Sequence, residues 1–306
     1  MFITVFTQVV ILFILIFLGF ALNKTKVLND TGVKCITDLV LYTVTPCVII
    51  KSFVREFNKS LFKNLIISFI CVFVAHIVFI LVAKLLLHSK EINRQKVLQF
   101  GMIFSNCGYM SIPLLQAILG DDGVFYGSTY IAVFQLFIWS YGVTLMGGKE
   151  FITPKKLIIN PGLIGFTVAL IIFILQIPVP NVIFQPITYM ASLNTPLPMI
   201  IIGYHLAGSN VLKGIKDLNL LFASFLKLVV LPLITVFGFY LCGLKGTLPM
   251  ALTICASAPT AAITTMFSTK FSRDTSLSVT IVSLTTLLSI ITMPLIVTLA
   301  QYLLKG

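Results

Sequence analysis

Charge is what this sequence has least of. Only 10% of its 306 residues are Asp, Glu, Lys or Arg, and nine of those are acidic. A soluble domain is about 25% charged. Together with a hydrophobic share of 58% and a mean hydropathy of +1.08, that scarcity excludes an ordinary soluble domain and implies an integral membrane protein. The six cysteines (Cys35, Cys47, Cys71, Cys107, Cys242, Cys255) form no CxxC pair and lie in or beside apolar runs. They read as small apolar packing residues, not as a disulfide or metal framework. No GxxxxGKS phosphate loop occurs, which argues against ATP-driven pumping. There is no HExxH and no carboxylate pair inside an apolar run, so nothing suggests an enzyme, and no cofactor is implied. The net charge of +12 does not indicate nucleic acid, because the basic residues sit in short loops between apolar runs, where topology signals belong.

What the chain does have is long apolar runs. A membrane helix needs about 17–25 mainly apolar residues. Ten such runs are expected, at 4–22, 33–50, 64–87, 100–119, 124–146, 162–177, 184–206, 218–241, 248–271 and 277–304. The first lacks a basic n-region and an evident cleavage site, so it reads as a retained span and not a signal peptide. Pro178-Val179-Pro180 ends the sixth run, and residues 177–185 are expected to form a turn. Odd-numbered loops carry fourteen Lys and Arg, against six in the even loops and tail; Lys227 lies within a span. Cytoplasmic loops are the more basic, so the odd loops are expected inside and both termini outside an inner membrane. Four basic residues in the second loop (Lys51, Arg55, Lys59, Lys63) run against that assignment. Apolar outer faces are compatible with a homodimer in the bilayer.

An odd number of spans per half requires the second half to enter the membrane inverted. A weak internal repeat agrees with this: Thr45-Pro46 and Thr195-Pro196 are 150 apart, His76 and Lys227 are 151 apart, and Pro113 and Pro259 are 146 apart. The expected fold is therefore all-α, in two inverted five-helix repeats, residues 1–146 and 162–306, joined by a short cytoplasmic linker at 147–161. Two runs are interrupted. One carries Asn106-Cys107-Gly108-Tyr109-Met110-Ser111-Ile112-Pro113, the other Cys255-Ala256-Ser257-Ala258-Pro259-Thr260. Proline removes an N–H and clashes with the carbonyl four residues back, here near Tyr109. Opened backbone survives at membrane depth only when buried in protein or lining a cavity. Paired breaks in corresponding halves point to a transporter binding site.

The candidate substrate-binding residues follow from those breaks: Asn106, Gly108, Tyr109, Ser111 and Pro113 in the first, and Ser257, Ala258, Pro259 and Thr260 in the second. A half-helix N-terminus carries roughly +0.5 charge and favours an anion such as a carboxylate. A proline kink satisfied by neighbouring helices is the plainer reading of Pro113 alone; the clustering of Asn, Gly and Pro favours a site. Asn194, before Thr195-Pro196, touches substrate or caps a helix break. Gln135 faces the same cavity or bonds a neighbouring helix. Lys227 lies about ten residues into its span, ~15 Å at 1.5 Å per residue and so near the centre of a ~30 Å core. A charge there is costly and usually functional or paired. It attracts an anion, replaces a coupling cation, or tethers freed carbonyls. His76 relays protons or is a satisfied buried imidazole. Asp38, one turn from Lys34, is expected to form a local ion pair, and Asp121 and Asp122 to meet water.

These stretches, with Phe134-Gln135-Leu136-Phe137-Ile138-Trp139-Ser140-Tyr141-Gly142 and Ala258-Pro259-Thr260-Ala261, resemble the auxin efflux carrier family over nearly the whole chain. That family includes plant auxin exporters and bacterial malate and malonate permeases. The resemblance implies ten spans, with the fourth and ninth crossing at their prolines. It also implies a scaffold domain (spans 1, 2, 6 and 7) beside an elevator-like transport domain (spans 3–5 and 8–10), and places Asn106, Pro113, Asn194 and Pro259 near substrate. Ser111 stands where glycine is usual and Gln135 where asparagine is usual, which leaves substrate identity open. The long central loop of the plant exporters is absent.

The sequence therefore leads to a secondary transporter of a small organic anion, auxin-like or a dicarboxylate, with coupling to protons, to sodium or to membrane potential alone left open. The alternatives are a sodium-coupled symporter of the bile-acid type and a non-transporting sensor that keeps the fold.

Overall fold

The structure is a computed structural model that describes residues 2–151, 160–208 and 214–305. Among these, helices form the architecture, and the β-type pairing is one isolated antiparallel bridge, Ser105 with Thr260. The first half runs α1 (Phe2–Lys24), α2 (Asp30–Leu39), a π-helical turn (Val40–Val44), α3 (Thr45–Phe53), α4 (Lys59–Leu86) and α5 (Ile92–Ile103). A π turn (Cys107–Ser111) then opens α6 (Ile112–Phe137), and another (Ile138–Gly142) joins it to α7 (Val143–Met146). The second half runs α8 (Pro161–Leu175), α9 (Asn181–Ser192), α10 (Pro196–Ala207), α11 (Leu218–Phe225), a π turn (Leu226–Val230), α12 (Leu231–Leu241), α13 (Thr247–Ser257), α14 (Ile263–Lys270) and α15 (Thr275–Leu304). Six stretches are long and apolar enough to cross a membrane: Val5–Lys24, Asp30–Phe53, Lys59–Leu86, Cys107–Met146, Leu218–Leu241 and Thr275–Leu304. α8 and α13 are shorter apolar helices.

Local chemistry sets these boundaries. Side chains of Asn29, Asn58, Asn160, Asp217 and Asp274 accept from backbone N–H groups at the starts of α2, α4, α8, α11 and α15, which satisfies donors that no helix interior can reach. Three of the π turns end two residues before a proline: Pro46, Pro113 and Pro232. The wider turn absorbs the carbonyl that the pyrrolidine ring would otherwise strike. α6 is two arms, because Gly120 takes φ 65°, ψ −154° in its interior, a conformation open to glycine at little cost. The fourth and fifth runs of the sequence thus meet at Gly120.

The run at 184–206, expected as one span, is two helices, because Leu193–Thr195 separate α9 from α10 and place Asn194 in a helix break. α4 starts five residues before the expected 64, at Lys59, where Asn58 caps it. The turn expected over 177–185 is shorter, since α9 begins at Asn181. Of the expected 147–161 linker, residues 152–159 lie outside the described residues.

Glycine permits the closest packing. α1 lies against α10 so tightly that a Cβ on Gly203 would fall 1.9 Å from the Ile16 carbonyl oxygen, and one on Gly19 would fall 2.2 Å from that of Ile200. α3 packs on α8 and α9, with Gly165 facing Pro46. α13 packs against α6, α12 and α15, and α4 against α5 and α6. Large apolar side chains such as Phe17, Leu85, Leu241 and Tyr302 are more than half exposed, as lipid-facing surface requires.

Candidate functional site

The site begins where two helices stop. Ala258, next to Pro259, takes φ −61°, ψ 149°, the extended form that a following proline enforces, and α13 ends there. α5 ends at Phe104, also extended. The two opened strands run past each other. The Asn106 N–H donates to the Pro259 carbonyl at 2.8 Å, and the Ala261 N–H to the Phe104 carbonyl at 2.9 Å. Thr260 seals the crossing: its hydroxyl donates to the Gly101 carbonyl at 2.9 Å, and its N–H to the Thr285 hydroxyl on α15 at 3.1 Å. Each such bond contributes about 0.5–1.5 kcal/mol net, and leaving its groups unmet away from water costs more. Beyond the crossing, the chain re-enters helix twice, at the Cys107–Ser111 turn leading to α6 and at α14.

Both re-entries face one cavity of about 530 Å³, within the usual range for a small-molecule site. Asn106, Cys107, Gly108 and Tyr109 line it from the first N-terminus, and Ala261, Ala262 and Ile263 from the second. With about +0.5 charge at each N-terminus, the two ends together form an electropositive floor. The Asn106 side chain is buried, and its Nδ2 is without a hydrogen-bond partner among the described residues. Thr45 Oγ1, on the opposite wall, is in the same condition. Unmet buried donors are rare in folded proteins, and two around one cavity suit a polar ligand. The exposed rim includes Asp30, His205, Gly208 and Met266, at the end where α1 and α10 finish and α2 begins.

The opposite end is closed. Lys51 pairs with Asp121 at 3.5 Å, and Arg55 pairs with Asp122. Arg55 also stands 4.8 Å above the Phe125 ring. Beneath them Phe53 packs on Phe125, Phe166 and Phe173. Asp121 and Asp122 are exposed, as expected, and hold these ion pairs as well. Lys51 and Arg55, half of the basic excess in the second loop, are neutralised by them.

The expected site residues fall into three groups. Asn106, Gly108, Tyr109 and Gln135 line the cavity. Ser111, Pro113, Ser257, Ala258, Pro259 and Thr260 are buried in the crossing behind it. There Ser257 and Ser111 both donate to the Ile254 carbonyl, at 3.0 and 3.4 Å. Pro113 does not make the break, which lies at Phe104–Asn106, several residues earlier; the π turn accommodates the proline. Asn194 is buried at the α9–α10 break, away from the cavity lining, with both amide atoms unpartnered among the described residues. Of the coupling candidates, Asp38 is exposed, and the described ion pairs do not include one with Lys34. That expectation fails because side chains at helical spacing pair only where the geometry rewards the lost rotamer freedom. His76 is fully buried, its Nδ1 2.9 Å from the Val72 carbonyl, its ring 5.1 Å from that of Tyr130. Lys227, also fully buried, donates to the Ser105 hydroxyl and, at 3.4 Å, to the Ala256 carbonyl.

Sequence reasoning missed the far wall: Asn23, Asp30, Thr37, Thr45, Tyr204 and His205. The Tyr204 hydroxyl donates to Asp30 at 2.7 Å. The one available signal was Thr45, part of the repeated Thr-Pro step.

A helical membrane protein in which two interrupted segments cross beside a closed-ended cavity has the makings of a transport protein. The comparisons agree. The sequence model of the family described as membrane transport protein matches residues 4–151 and 149–297. An uncharacterized transporter of Methanothermobacter thermautotrophicus is 22% identical over 287 residues, covering 92% of this chain and 94% of that protein. An uncharacterized transporter of Methanocaldococcus jannaschii is 22% identical over 298 residues, covering 94% and 96%. The chain belongs to the membrane transport protein family, that of the auxin efflux carriers.

Proposed function

We propose that this protein is a secondary carrier of a small organic anion, a carboxylate of the auxin-like or dicarboxylate kind. One observation carries the reading: two half-helix N-termini and Asn106, whose Nδ2 has no partner among the described residues, line the same cavity. In this reading the carboxylate lies against the N–H groups around Gly108 and Ile263 and accepts from Asn106 Nδ2, while Gln135 and Tyr109 shape the remainder.

The ten spans of the proposal are α1; α2–α3; α4; α5 with the first arm of α6; the second arm with α7; α8; α9–α10; α11–α12; α13–α14; and α15. The two inverted repeats meet at the 147–161 linker. Packing supports a division into a scaffold (α1–α3, α8–α10) and a transport unit holding the crossing. α1 sits on α10 and α3 on α8 and α9, while α4, α6, α12, α13 and α15 pack around the broken helices. The transport unit slides against the scaffold as an elevator. With the odd loops in the cytoplasm of an inner membrane and both termini outside, the cavity here opens inward and the Lys51–Asp121 and Arg55–Asp122 pairs close the outer side.

The test is a thermal-shift screen of carboxylates on purified protein, followed by uptake into proteoliposomes. A carboxylate that raises Tm and is taken up saturably is expected, and Asn106→Ala should lose both effects while the protein stays folded. Undiminished uptake by that variant refutes the assigned role.

A further inference from the structure

We propose that Lys227 is a covalently tethered cation at the carbonyl side of the crossing, filling the position that a coupling sodium ion would otherwise take. The inference rests on the carrier reading for its transport consequence; the site itself is tested without it.

A crossing of two broken helices has two electrical sides. The N-terminal ends face the cavity. The C-terminal ends, α5 at Ile103 and α13 at Ser257, carry roughly −0.5 each, about one full negative charge in a region without bulk water. Half-helix C-termini and unwound carbonyls are the groups that bind sodium in transporters built on broken helices, and carbonyl and hydroxyl oxygens are the donors that hard cations take. Here the oxygens converge on an amine. The Ala256 carbonyl, in the last turn of α13, accepts from Lys227 Nζ and from Ser105 Oγ, each at 3.4 Å. Ser105 Oγ, in the opened strand after α5, itself accepts from Nζ. Tyr130 OH stands 3.4 Å from the same hydroxyl, and the His76 ring lies tilted against that of Tyr130.

Lys227 has no carboxylate to balance it among the described residues. Their ion pairs are Lys51–Asp121, Arg55–Asp122 and Arg94–Asp217. A buried lysine without a counter-ion is costly unless the helix ends themselves supply the negative charge. The side chain comes from the Leu226–Val230 π turn, where the widened backbone is held open by Pro232. One positive side chain thus meets the α13 carbonyl end directly and the strand leaving α5 through Ser105, and the two N-terminal ends are left to the substrate. A sodium ion is redundant at this position, and carboxylate transport through it is sodium-independent.

The experiment compares wild type and Lys227→Ala, purified, in sodium, potassium, methylammonium and N-methylglucamine chloride at equal ionic strength. Wild-type Tm should be the same in all four. Lys227→Ala should melt lower in N-methylglucamine and be raised toward wild type by sodium or methylammonium, which fit the space the side chain leaves. A variant as stable as wild type in N-methylglucamine overturns the proposal, as does one that no small cation restores. Should Lys227→Ala fail to fold, wild-type carboxylate uptake decides: equal rates with and without sodium are expected, and strict sodium dependence overturns it. If no carboxylate binds or moves, the carrier reading fails while the Tm comparison still judges Lys227.

Discussion

The paired charges on the closed side lend themselves to a quantitative test. Lys51 belongs to α3 and Arg55 follows its end, in the proposed scaffold; Asp121 and Asp122 follow the Gly120 break in α6, in the proposed transport unit. The carboxylates are about half exposed (50% and 59%) and their partners less so (28% and 18%). Pairs of that exposure are worth about 0.2–1 kcal/mol each, so the double variant Asp121→Asn, Asp122→Asn should release roughly 0.5–2 kcal/mol of preference for the closed outer side. Since 1.4 kcal/mol is tenfold, that is about a 2- to 30-fold rise in the outward-open population. Arg55 keeps its place over Phe125 and its Nε bond to the Ser52 carbonyl, so the effect should not exceed that range. A reporter is available at Gly108, which lines the cavity and where an added Cβ meets nothing within 4 Å. In cells carrying Gly108→Cys, labelling by a membrane-impermeant maleimide from outside should rise by that factor in the double variant, over the background of the chain without the reporter. The increase should shrink at high salt, which already screens the pairs in the parent. An unchanged labelling rate would refute the reasoning, and so would a rise of equal size at every salt concentration.

Other consequences follow from single contacts. Gly203→Ala places a methyl 1.9 Å from the Ile16 carbonyl oxygen; backbone cannot yield as a side chain tip does, so a loss of at least about 1–3 kcal/mol is expected, read as a lower Tm, while Gly108→Ala should leave Tm unchanged. Thr260→Val removes the hydroxyl that meets the Gly101 carbonyl and leaves that acceptor buried. It should cost about 1–3 kcal/mol, seen as a lower melting temperature, without abolishing folding. Asn106→Asp keeps the shape of the side chain but sets a carboxylate against the bound one. Carboxylate thermal shifts should vanish as completely as in Asn106→Ala, and a retained shift would remove Asn106 from the site.

Much of this was legible because membrane burial leaves a strong mark on composition and because proline and asparagine stand out in apolar runs. The breaks near Asn106 and Pro259 were visible as such. The second opens where its proline stands, but the first does not: the eye goes to Pro113, yet the chain opens at Phe104–Asn106, since a π turn absorbs a proline that a regular α-helix could not. The far wall was hidden for a different reason. Thr37, Thr45 and Tyr204 are ordinary residues in ordinary runs, and their convergence depends on how closely α1 and α10 approach. Gly19 and Gly203 set that distance, but nothing in either run alone reveals the partner.

The same asymmetry explains why Lys227 and Asn106 belong to one design though neither touches the other. Each broken helix contributes an end of each sign, and crossing two of them sorts the ends by sign onto opposite sides of a single bridge at Ser105 and Thr260. Asn106 and Ser105 are consecutive and both line the cavity, but Asn106 Nδ2 has no partner among the described residues while the Ser105 hydroxyl accepts from the lysine. In the proposed carrier, an anion entering from the rim meets dipole ends whose opposite poles are already compensated. Its binding energy can go into holding the opened strands together, not into neutralising the C-terminal ends behind them. Removing Lys227 should accordingly weaken carboxylate binding from a distance, by disordering the strand that carries Asn106, and a small cation that restores Tm should restore that binding in parallel.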